Sequence, residues 1–246
     1  ANFSAFVNDA SMCVSKDPTR VQVHGVCFSK DGITATDGRE LFHVPLPLEG
    51  LNFDLSVIYT PALASIKRPW RSISTWVKED RRFVIIRGDG FSYFAKVSNG
   101  KYPNWRNVIP DEKDLDVSIQ FADLQSLQLK EFLQSIDKRI GEYVELAFEQ
   151  NQITVTDAAN RKLVLHVETK GMQSPGSVSM KAEFLGRMLK LGHNTLLLAP
   201  SEQKPMKATG GKGFYIFMGA IPDTPKHQSA TAPVQEPKPV ETENQA

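Results

Sequence analysis

The stretch Ile33-Thr34-Ala35-Thr36-Asp37-Gly38-Arg39-Glu40-Leu41-Phe42-His43-Val44 decides how the whole chain is interpreted, because an altered copy of it occurs again later. The second copy begins Ile153-Thr154-Val155-Thr156-Asp157 and continues to Val167, so the shared Ile-Thr-x-Thr-Asp is displaced by 120 residues (153 − 33). Both copies have the composition of a strand, a turn and a second strand. A repeat of this length exceeds the units of about 20 to 50 residues that build solenoids. We therefore predict two copies of one small fold in tandem.

Each copy has the same predicted order of elements, which is helix, strands, helix and strands. Apolar residues at three- and four-residue steps predict helices over residues 1–16, around residues 129–136 and over residues 179–191. A short fourth helix is predicted over residues 61–68, where Thr60 is the N-cap and Pro61 takes the first helical position. Two helices per copy must cover one face of an antiparallel sheet, which predicts an α+β fold. We expect two tandem domains, over residues 1–110 and 111–222.

Composition limits the function classes. The 246 residues contain 29 Lys and Arg against 28 Asp and Glu, which excludes a globally basic nucleic-acid-binding protein but not a locally basic face. Cys13 and Cys27 lack the spacing of a metal site, so we expect buried thiols in a reducing compartment and neither metal nor cofactor. Because there is no secretory signal and no apolar run of about 18 to 20 residues, the chain is expected to be soluble and cytoplasmic.

The two ends of the chain carry their own expectations. Residues 223–246 are rich in Pro, Gln, Thr, Glu and Ala and contain no Phe, Trp or Tyr, which predicts a disordered tail. The chain begins with Ala1, which fits either removal of an initiator Met or a piece of a longer protein.

Three segments together resemble a known family. They are Val26-Cys27-Phe28, then Ala35-Thr36-Asp37-Gly38 with Leu41, and then Tyr102-Pro103-Asn104-Trp105-Arg106-Asn107-Val108-Ile109-Pro110. They resemble the bacterial sliding clamp, the beta subunit of DNA polymerase III, which has an Ala-Thr-Asp-Gly-His-Arg-Leu turn in its middle domain. That family also has a Phe-Pro-Asp-Tyr-Arg-Arg-Val-(Leu/Ile)-Pro segment where the middle domain meets the last. The resemblance covers residues 1 to about 221, as the second and third of three clamp domains.

The resemblance implies a non-enzymatic ring that encircles duplex DNA, without reading its sequence, and tethers a polymerase. Helices would line the hole, and a pocket between the middle and last domains would receive peptides of the polymerase and the clamp loader. Since six domains close the known rings, the resemblance implies a homo-oligomer of two-domain chains, with a trimer favoured. By position in the family's motifs, the pocket wall would include Val23, Thr36, Gly38, Arg39, Leu41, Pro103, Asn107, Val108, Ile216 and Met218.

A clamp needs lysine and arginine side chains that attract phosphate without gripping bases. We predict Lys130, Lys138 and Arg139 on the first helix of the second copy, and Arg187 with Lys190 on one face of its second helix. An ordinary solvated helix face is the competing interpretation, and Lys16 is predicted to contribute little. The full set of candidate DNA-binding residues is Lys67, Arg68, Arg71, Lys130, Lys138, Arg139, Arg187 and Lys190.

The chain also departs from the family pattern. Glu40 and Asn107 stand where the family has arginine, and the residues after Met218 differ from the usual ending. These departures leave open an alternative, a clamp-like regulator or accessory protein that binds replication proteins without encircling DNA. His43 and His166 are predicted to occupy equivalent strand positions with a structural role.

Enzymatic interpretations are weaker. Ser201-Glu202-Gln203-Lys204 matches the Ser-x-x-Lys motif of acyl enzymes, but prolines flank it and oppose the helix that this motif needs. Gly210-Gly211-Lys212-Gly213 lacks the remainder of a phosphate-binding loop and indicates a hairpin turn. Tyr102 and Trp105 are expected to anchor the proline-bounded connector between the two cores.

Overall fold

The structure is a computed structural model that describes residues 3–48, 51, 54–58, 61–66, 69–79, 81–98, 101–199 and 204–220. The N-terminal half contains α1 (Phe3–Ser11), β1 (Gly25–Ser29), β2 (Gly32–Thr36), β3 (Glu40–Pro45), β4 (Leu55–Ile58), α2 (Pro61–Ala64), β5 (Trp70–Lys78), β6 (Arg81–Gly88) and β7 (Phe91–Lys96). A connector over residues 101–110 follows, with a 3-10 turn at Trp105–Val108.

The C-terminal half repeats this pattern after a second 3-10 turn at Glu112–Asp114. It contains β8 (Val117–Gln120), α3 (Asp123–Gln134), β9 (Tyr143–Glu149), β10 (Gln152–Asp157), β11 (Lys162–His166), β12 (Glu168–Lys170), β13 (Gly176–Lys181), α4 (Ala182–Lys190), β14 (Thr195–Leu198), β15 (Pro205–Thr209) and β16 (Phe214–Met218). Within the described ranges, no helix is both long and apolar enough to cross a membrane.

The strands form antiparallel sheets, which confirms the predicted α+β class. Among the described residues, a nine-stranded sheet has the order β12-β8-β14-β15-β16-β3-β2-β1-β4, and two smaller sheets have the orders β11-β10-β9-β13 and β5-β6-β7. The large sheet crosses both halves because β16 pairs with β3, with Phe214 opposite His43 and Phe217 opposite Glu40. The pairing was not predicted, and it places the two halves edge to edge.

The repeated stretch forms equivalent hairpins, β2–β3 and β10–β11. The Asp37 carboxylate accepts bonds from the backbone N–H groups of Arg39 (2.8 Å) and Glu40 (3.0 Å). Asp157 does the same in the second hairpin for Ala159 and Arg161, at 2.9 Å each. Each aspartate therefore holds its own turn, which is the role that turn chemistry predicts.

The predicted equivalence of the two histidines is wrong. His43 lies opposite Thr34, whereas the residue opposite the matching Thr154 is Val164. His166 instead lies opposite Gln152. The second turn is one residue longer than the first, with five residues (157–161) against four (37–40). The counterpart of His43 is therefore Val164, and His166 lies two residues further along the strand.

The helices α1 and α4 pack on the large sheet, whereas α3 contacts α4 and β11 of the four-stranded sheet, and the helices begin or end away from their predicted bounds. Phe3, Phe6, Val7 and Ala10 of α1 are buried, which explains why this amphipathic segment docks on β1–β3. The α1 helix ends at Ser11 rather than at residue 16. The α4 helix packs Phe184 against Phe217 of β16, with ring centroids 5.7 Å apart.

The connector covers the outer face of the same sheet. Tyr102 and Trp105 are buried and cluster with Leu41, Ile216 and Cys27. The Trp105 ring also stacks on His43, with centroids 4.5 Å apart. Both aromatic residues therefore anchor the connector across the junction, as the sequence predicted.

Candidate functional site

A groove of about 760 Å³ lies where the end of α1 meets α3 and α4. Six cationic side chains line it against two carboxylates, Glu142 and Glu183, so this surface is positive although the chain is nearly neutral. The cations are Lys16, Lys130, Lys138, Lys181, Arg187 and Lys190.

Four of the predicted DNA-binding residues meet in this groove, namely Lys130, Lys138, Arg187 and Lys190. The groove lining also contains Lys16, which was expected to contribute little, and Lys181, which was not among the predicted residues. Lys181 directly precedes α4, and a search restricted to helix interiors passes over a cation in that position. Lys16 lies beyond the end of α1, so its place beside α3 and α4 depends on how the halves pack.

The cations differ in how free their charges are. The Arg187 side chain is only 11% exposed and forms ion pairs with Glu40 and Glu183. Lys181 pairs with Glu142 at 3.1 Å. By contrast, no carboxylate in the described part of the chain lies within salt-bridge distance of the remaining four, and all four are exposed. These free groove lysines are Lys16, Lys130, Lys138 and Lys190.

Lys138 lies in the groove but not on the helix that was predicted to carry it, and Arg139 is outside the groove lining. The helix α3 ends at Gln134, so Lys138 and Arg139 are not on it, contrary to the prediction. Helix termination there is local, since the Ser135 hydroxyl donates to the Phe132 carbonyl at 2.7 Å. Arg139 folds back on Asp137 at 2.7 Å.

Arg71 is outside the groove lining as well. Arg71 lies on β5 and pairs with Asp89 at 2.6 Å, at a site where both side chains are well exposed. Lys67 and Arg68 lie outside the described residues.

The predicted peptide pocket falls at the junction of β3, β16 and the connector. Leu41 and Ile216 lie opposite each other across the two strands, and both are buried beneath Tyr102 and Trp105. Met218 continues this pairing, since its N–H donates to the Arg39 carbonyl at 3.1 Å. The structure therefore brings these pocket residues together but covers two of them.

The remaining pocket residues divide by burial. Val23 and Thr36 are buried, whereas Val108 is 52% and Met218 38% exposed. The surface members Gly38, Arg39, Pro103 and Asn107 are exposed as well. Only the exposed residues of the predicted pocket are accessible to a partner, and they form its rim.

Two arginines stabilise the segments around this junction, a structural role that was not predicted from the sequence. Arg106 of the connector bonds the carboxylates of Asp31 and Asp54, the latter at 3.0 Å. The hydrogen bond from Arg106 lowers the pKa of Asp31. Arg20 donates to the Asp37 carbonyl at 2.6 Å and lies against Gly38. Signals for these contacts are absent from local sequence because the partners are distant along the chain.

Buried polar groups sit along the seam between the halves. Glu40 accepts a hydrogen bond from the Tyr215 hydroxyl at 2.5 Å in addition to its pair with Arg187. Burial raises the pKa of Tyr215 well above its ordinary value. Burial also lowers the pKa of His43 to about 4. The described residues contain no cluster of three or more His, Cys, Asp or Glu arranged to hold a metal ion.

Comparison with solved structures identifies the fold. The beta clamp of Helicobacter pylori, bound to a DNA ligase peptide, matches with a TM-score of 0.71 at 16% identity, over 90% of this chain and 64% of that one. The DNA polymerase sliding clamp of Bacillus subtilis matches with a TM-score of 0.71 at 15% identity, over 89% and 62%. The DNA polymerase III subunit beta of Pseudomonas aeruginosa matches with a TM-score of 0.67 at 14% identity, over 89% and 65%.

These matches confirm the resemblance at the level of the fold. The chain has the fold of bacterial sliding clamps, and it spans less than two thirds of the length of each of these three structures. No protein-family model and no curated protein sequence matches it.

Proposed function

We propose that this chain is a sliding clamp, or the corresponding part of one, which holds duplex DNA along the groove between α1, α3 and α4. The observation that carries this proposal is the set of four free groove lysines on the helical side of a clamp fold. Lysines on flexible stems attract phosphates as point charges and do not impose the fixed geometry that reads bases. The protein works in the cytoplasm without catalysis or a cofactor.

Retention on DNA in this proposal is topological. The lysines contribute a weak attraction that depends on salt, because each phosphate contact releases condensed counterions. A closed ring then prevents dissociation while the contacts exchange between neighbouring phosphates. Sliding needs contacts that are weak one at a time, and exposed lysines provide them.

Ring closure is proposed through two strand edges that match the junction inside the chain. By the internal repeat, β11 corresponds to β3 and β7 corresponds to β16. The backbone after β7 and the backbone after β16 form matching hydrogen bonds. The Ser98 N–H donates to the Ser56 carbonyl at 2.7 Å, and the Ala220 N–H donates to the Ser179 carbonyl at 2.8 Å. Among the described residues, β7 and β11 each pair along one side only. Pairing β7 of one copy with β11 of the next continues head to tail, and three copies of a two-domain chain supply six domains.

A peptide surface at the junction completes the proposal. The exposed apolar side chains of Val108 and Met218 flank the covered Leu41 and Ile216. The Helicobacter pylori clamp was solved with a DNA ligase peptide, which supports a peptide-binding role for this fold. Segments of a polymerase and of a clamp loader are the partners that we propose for this surface.

The decisive experiment measures duplex affinity against salt concentration. Changing the four free groove lysines to Gln is expected to weaken binding and to reduce the slope of log K against log salt by up to about 0.9 for each lost contact. A matched variant replaces four lysines outside the groove lining, Lys101, Lys113, Lys162 and Lys170, and should keep the original slope. Equal losses in both variants would remove the groove from the proposal.

A second candidate is a clamp-like regulator that does not encircle DNA. It is favoured by the ion pairs of Arg187, which withdraw one predicted cation from the groove, and by the covering of Leu41 and Ile216. Light scattering across a concentration series separates the two candidates. A particle of three times 27.4 kDa supports the ring, whereas a monomer at every concentration supports the regulator.

A further inference from the structure

The outer face of the three-stranded sheet β5-β6-β7 is unusually aromatic for a surface that faces solvent. Side chains alternate between the two faces of a strand, so Trp76, Phe83, Ile85 and Phe94 share the face opposite the core-facing Val84 and Ile86. Trp76 is 46% and Phe94 58% exposed. Large exposed aromatic side chains grouped on one face indicate a binding surface rather than ordinary surface composition.

The aromatic rings are arranged as a platform. Trp76 lies directly opposite Phe83, with ring centroids 5.5 Å apart. Phe94 lies one strand across and two residues along from Phe83, which separates their Cα atoms by about 8 Å in a regular sheet. Ile85 fills the space between them and is buried. The sheet thus offers two neighbouring flat apolar positions.

Cations surround the platform without counter-charges on the same strands. Lys78, Arg81, Arg87 and Lys96 alternate onto this outer face and are all exposed. None of the three strands contains Asp or Glu, although Glu79 lies in the β5–β6 turn. In the described part of the chain, no carboxylate comes within salt-bridge distance of any of the four. The face is therefore complementary to a polyanion that also carries flat apolar groups.

We propose that this face, called here the aromatic platform, binds single-stranded nucleic acid. Bases stack on Trp76 with Phe83 and on Phe94, and the four cations contact the backbone phosphates. Single strands suit it because their bases are free to stack, whereas the bases of a duplex are already stacked on each other. Sheets with exposed aromatic rings bind two or three unstacked bases in this way in other proteins. The site goes beyond the proposed function, since it lies on a sheet face and not in the helical groove.

The test uses the whole chain and a fluorescein-labelled oligothymidine of 15 nucleotides, with anisotropy as the readout. The double variant Trp76→Ala/Phe94→Ala is expected to weaken single-strand affinity at least about tenfold. Both side chains project from the surface, so this variant should keep the wild-type unfolding midpoint. Val77→Ala is the matched control, because Val77 is 59% exposed but alternates onto the opposite face of β5.

Two further measurements separate this site from the groove. The variant with all four free groove lysines changed to Gln should retain single-strand affinity, and Trp76→Ala/Phe94→Ala should retain duplex affinity. Oligothymidine should also quench tryptophan fluorescence, since Trp76 is the exposed one while Trp70 is partly buried and Trp105 buried.

Several outcomes would overturn the proposal. It fails when the wild-type chain does not bind oligothymidine at low salt, or when Trp76→Ala/Phe94→Ala binds as well as wild type. It also fails when the groove variant alone loses single-strand binding. If the platform instead binds a protein partner while ignoring oligothymidine, it is a protein-docking surface and the nucleic-acid assignment is wrong.

Discussion

Arg187 of α4 and Glu40 of β3 form a buried ion pair that joins the two halves of the chain. Their side chains are 11% and 4% exposed, and 147 residues separate them in sequence. Glu40 occupies the position where the resembling family has arginine, so the reversed charge at this position has a partner of opposite sign. The charge of Arg187 is therefore used in ion pairs within the chain and is not free to contact a phosphate.

Breaking this pair from one side should be costly. Arg187→Met leaves the Glu40 carboxylate buried with only the Tyr215 hydroxyl for a partner, and we expect a loss of about 3 kcal/mol in the free energy of unfolding. The double variant Glu40→Leu/Arg187→Met removes both charges and should recover most of that loss. Urea unfolding at pH 7 measures both. A cost under about 1 kcal/mol for the single variant would mean that water reaches the pair.

Stability should fall as the pH drops from about 7 to 5. Burial lowers the pKa values of His43 and His193 to about 4, below the usual value of 6.5. Because the unfolded chain binds protons at these sites first, stability is full above pH 6.5 and declines toward pH 4. The expected loss at pH 5 is about 2 kcal/mol for each histidine.

Besides being buried, the His193 ring holds a hydrogen bond that protonation would break. The His193 Nδ1 atom accepts a bond from the Gly211 N–H at 3.2 Å, and protonation would remove that acceptor. The variant His43→Phe preserves a ring beside Trp105 and should reduce the pH dependence by about half. Chemical denaturation at pH 5, 6 and 7 checks this. A variant with the slope of wild type would show that His43 is not involved.

Substitutions at the exposed rim of the peptide surface and at the buried Leu41 beneath it should have different effects. Val108→Asp and Met218→Asp change exposed side chains, so they should abolish binding of a labelled polymerase C-terminal peptide without lowering the unfolding midpoint. Leu41→Asp places a charge in a site that is 2% exposed and should unfold the chain or destabilise it by several kcal/mol. Fluorescence anisotropy and thermal unfolding measure the two effects. Peptide affinity that survives both rim variants would move the site elsewhere.

Two glycines near α4 should respond in opposite directions to alanine. Gly186 lies inside α4, and a Cβ there would meet no atom within 4 Å, so Gly186→Ala should stabilise the chain by about 0.5–1 kcal/mol. Gly192 follows α4 with φ +80°, so Gly192→Ala should destabilise it by about 1 kcal/mol. Thermal unfolding compares them. Destabilisation by Gly186→Ala would indicate a contact on that face of α4 in the assembled protein.

Local chemistry explains which elements were predictable from sequence. The hairpins of the repeat were predicted because Asp37 and Asp157 bond backbone groups within four residues of themselves. Helix ends were predicted less well. The apolar spacing that marks α1 continues to Cys13, but Cys13 packs into the core from a turn that follows the helix. Periodicity reports burial, and a buried residue need not be helical.

The groove was likewise only partly predictable from the sequence. Lys130, Lys138 and Lys190 were recognisable as cations near predicted helices, and they do line one groove. The sequence did not show which of these cations form ion pairs. Arg187 and Lys190 are both cations near the end of α4, but of the two only Arg187 pairs with carboxylates in the described part of the chain. Likewise, Leu41 and Ile216 were assigned to a pocket wall, and only the path of the connector reveals that Trp105 covers them.

The sequence by itself determined the repeat, the antiparallel α+β class, the turns and the clamp resemblance, because these follow from patterns that extend over a few residues. The tertiary structure alone decided that β16 pairs with β3, and hence that Arg187 meets Glu40. It also decided which lysines remain free in the groove. The physical reason is that the interactions of a charged side chain depend on the groups within a few ångströms of it. The strand register between distant parts of the chain decides which groups those are.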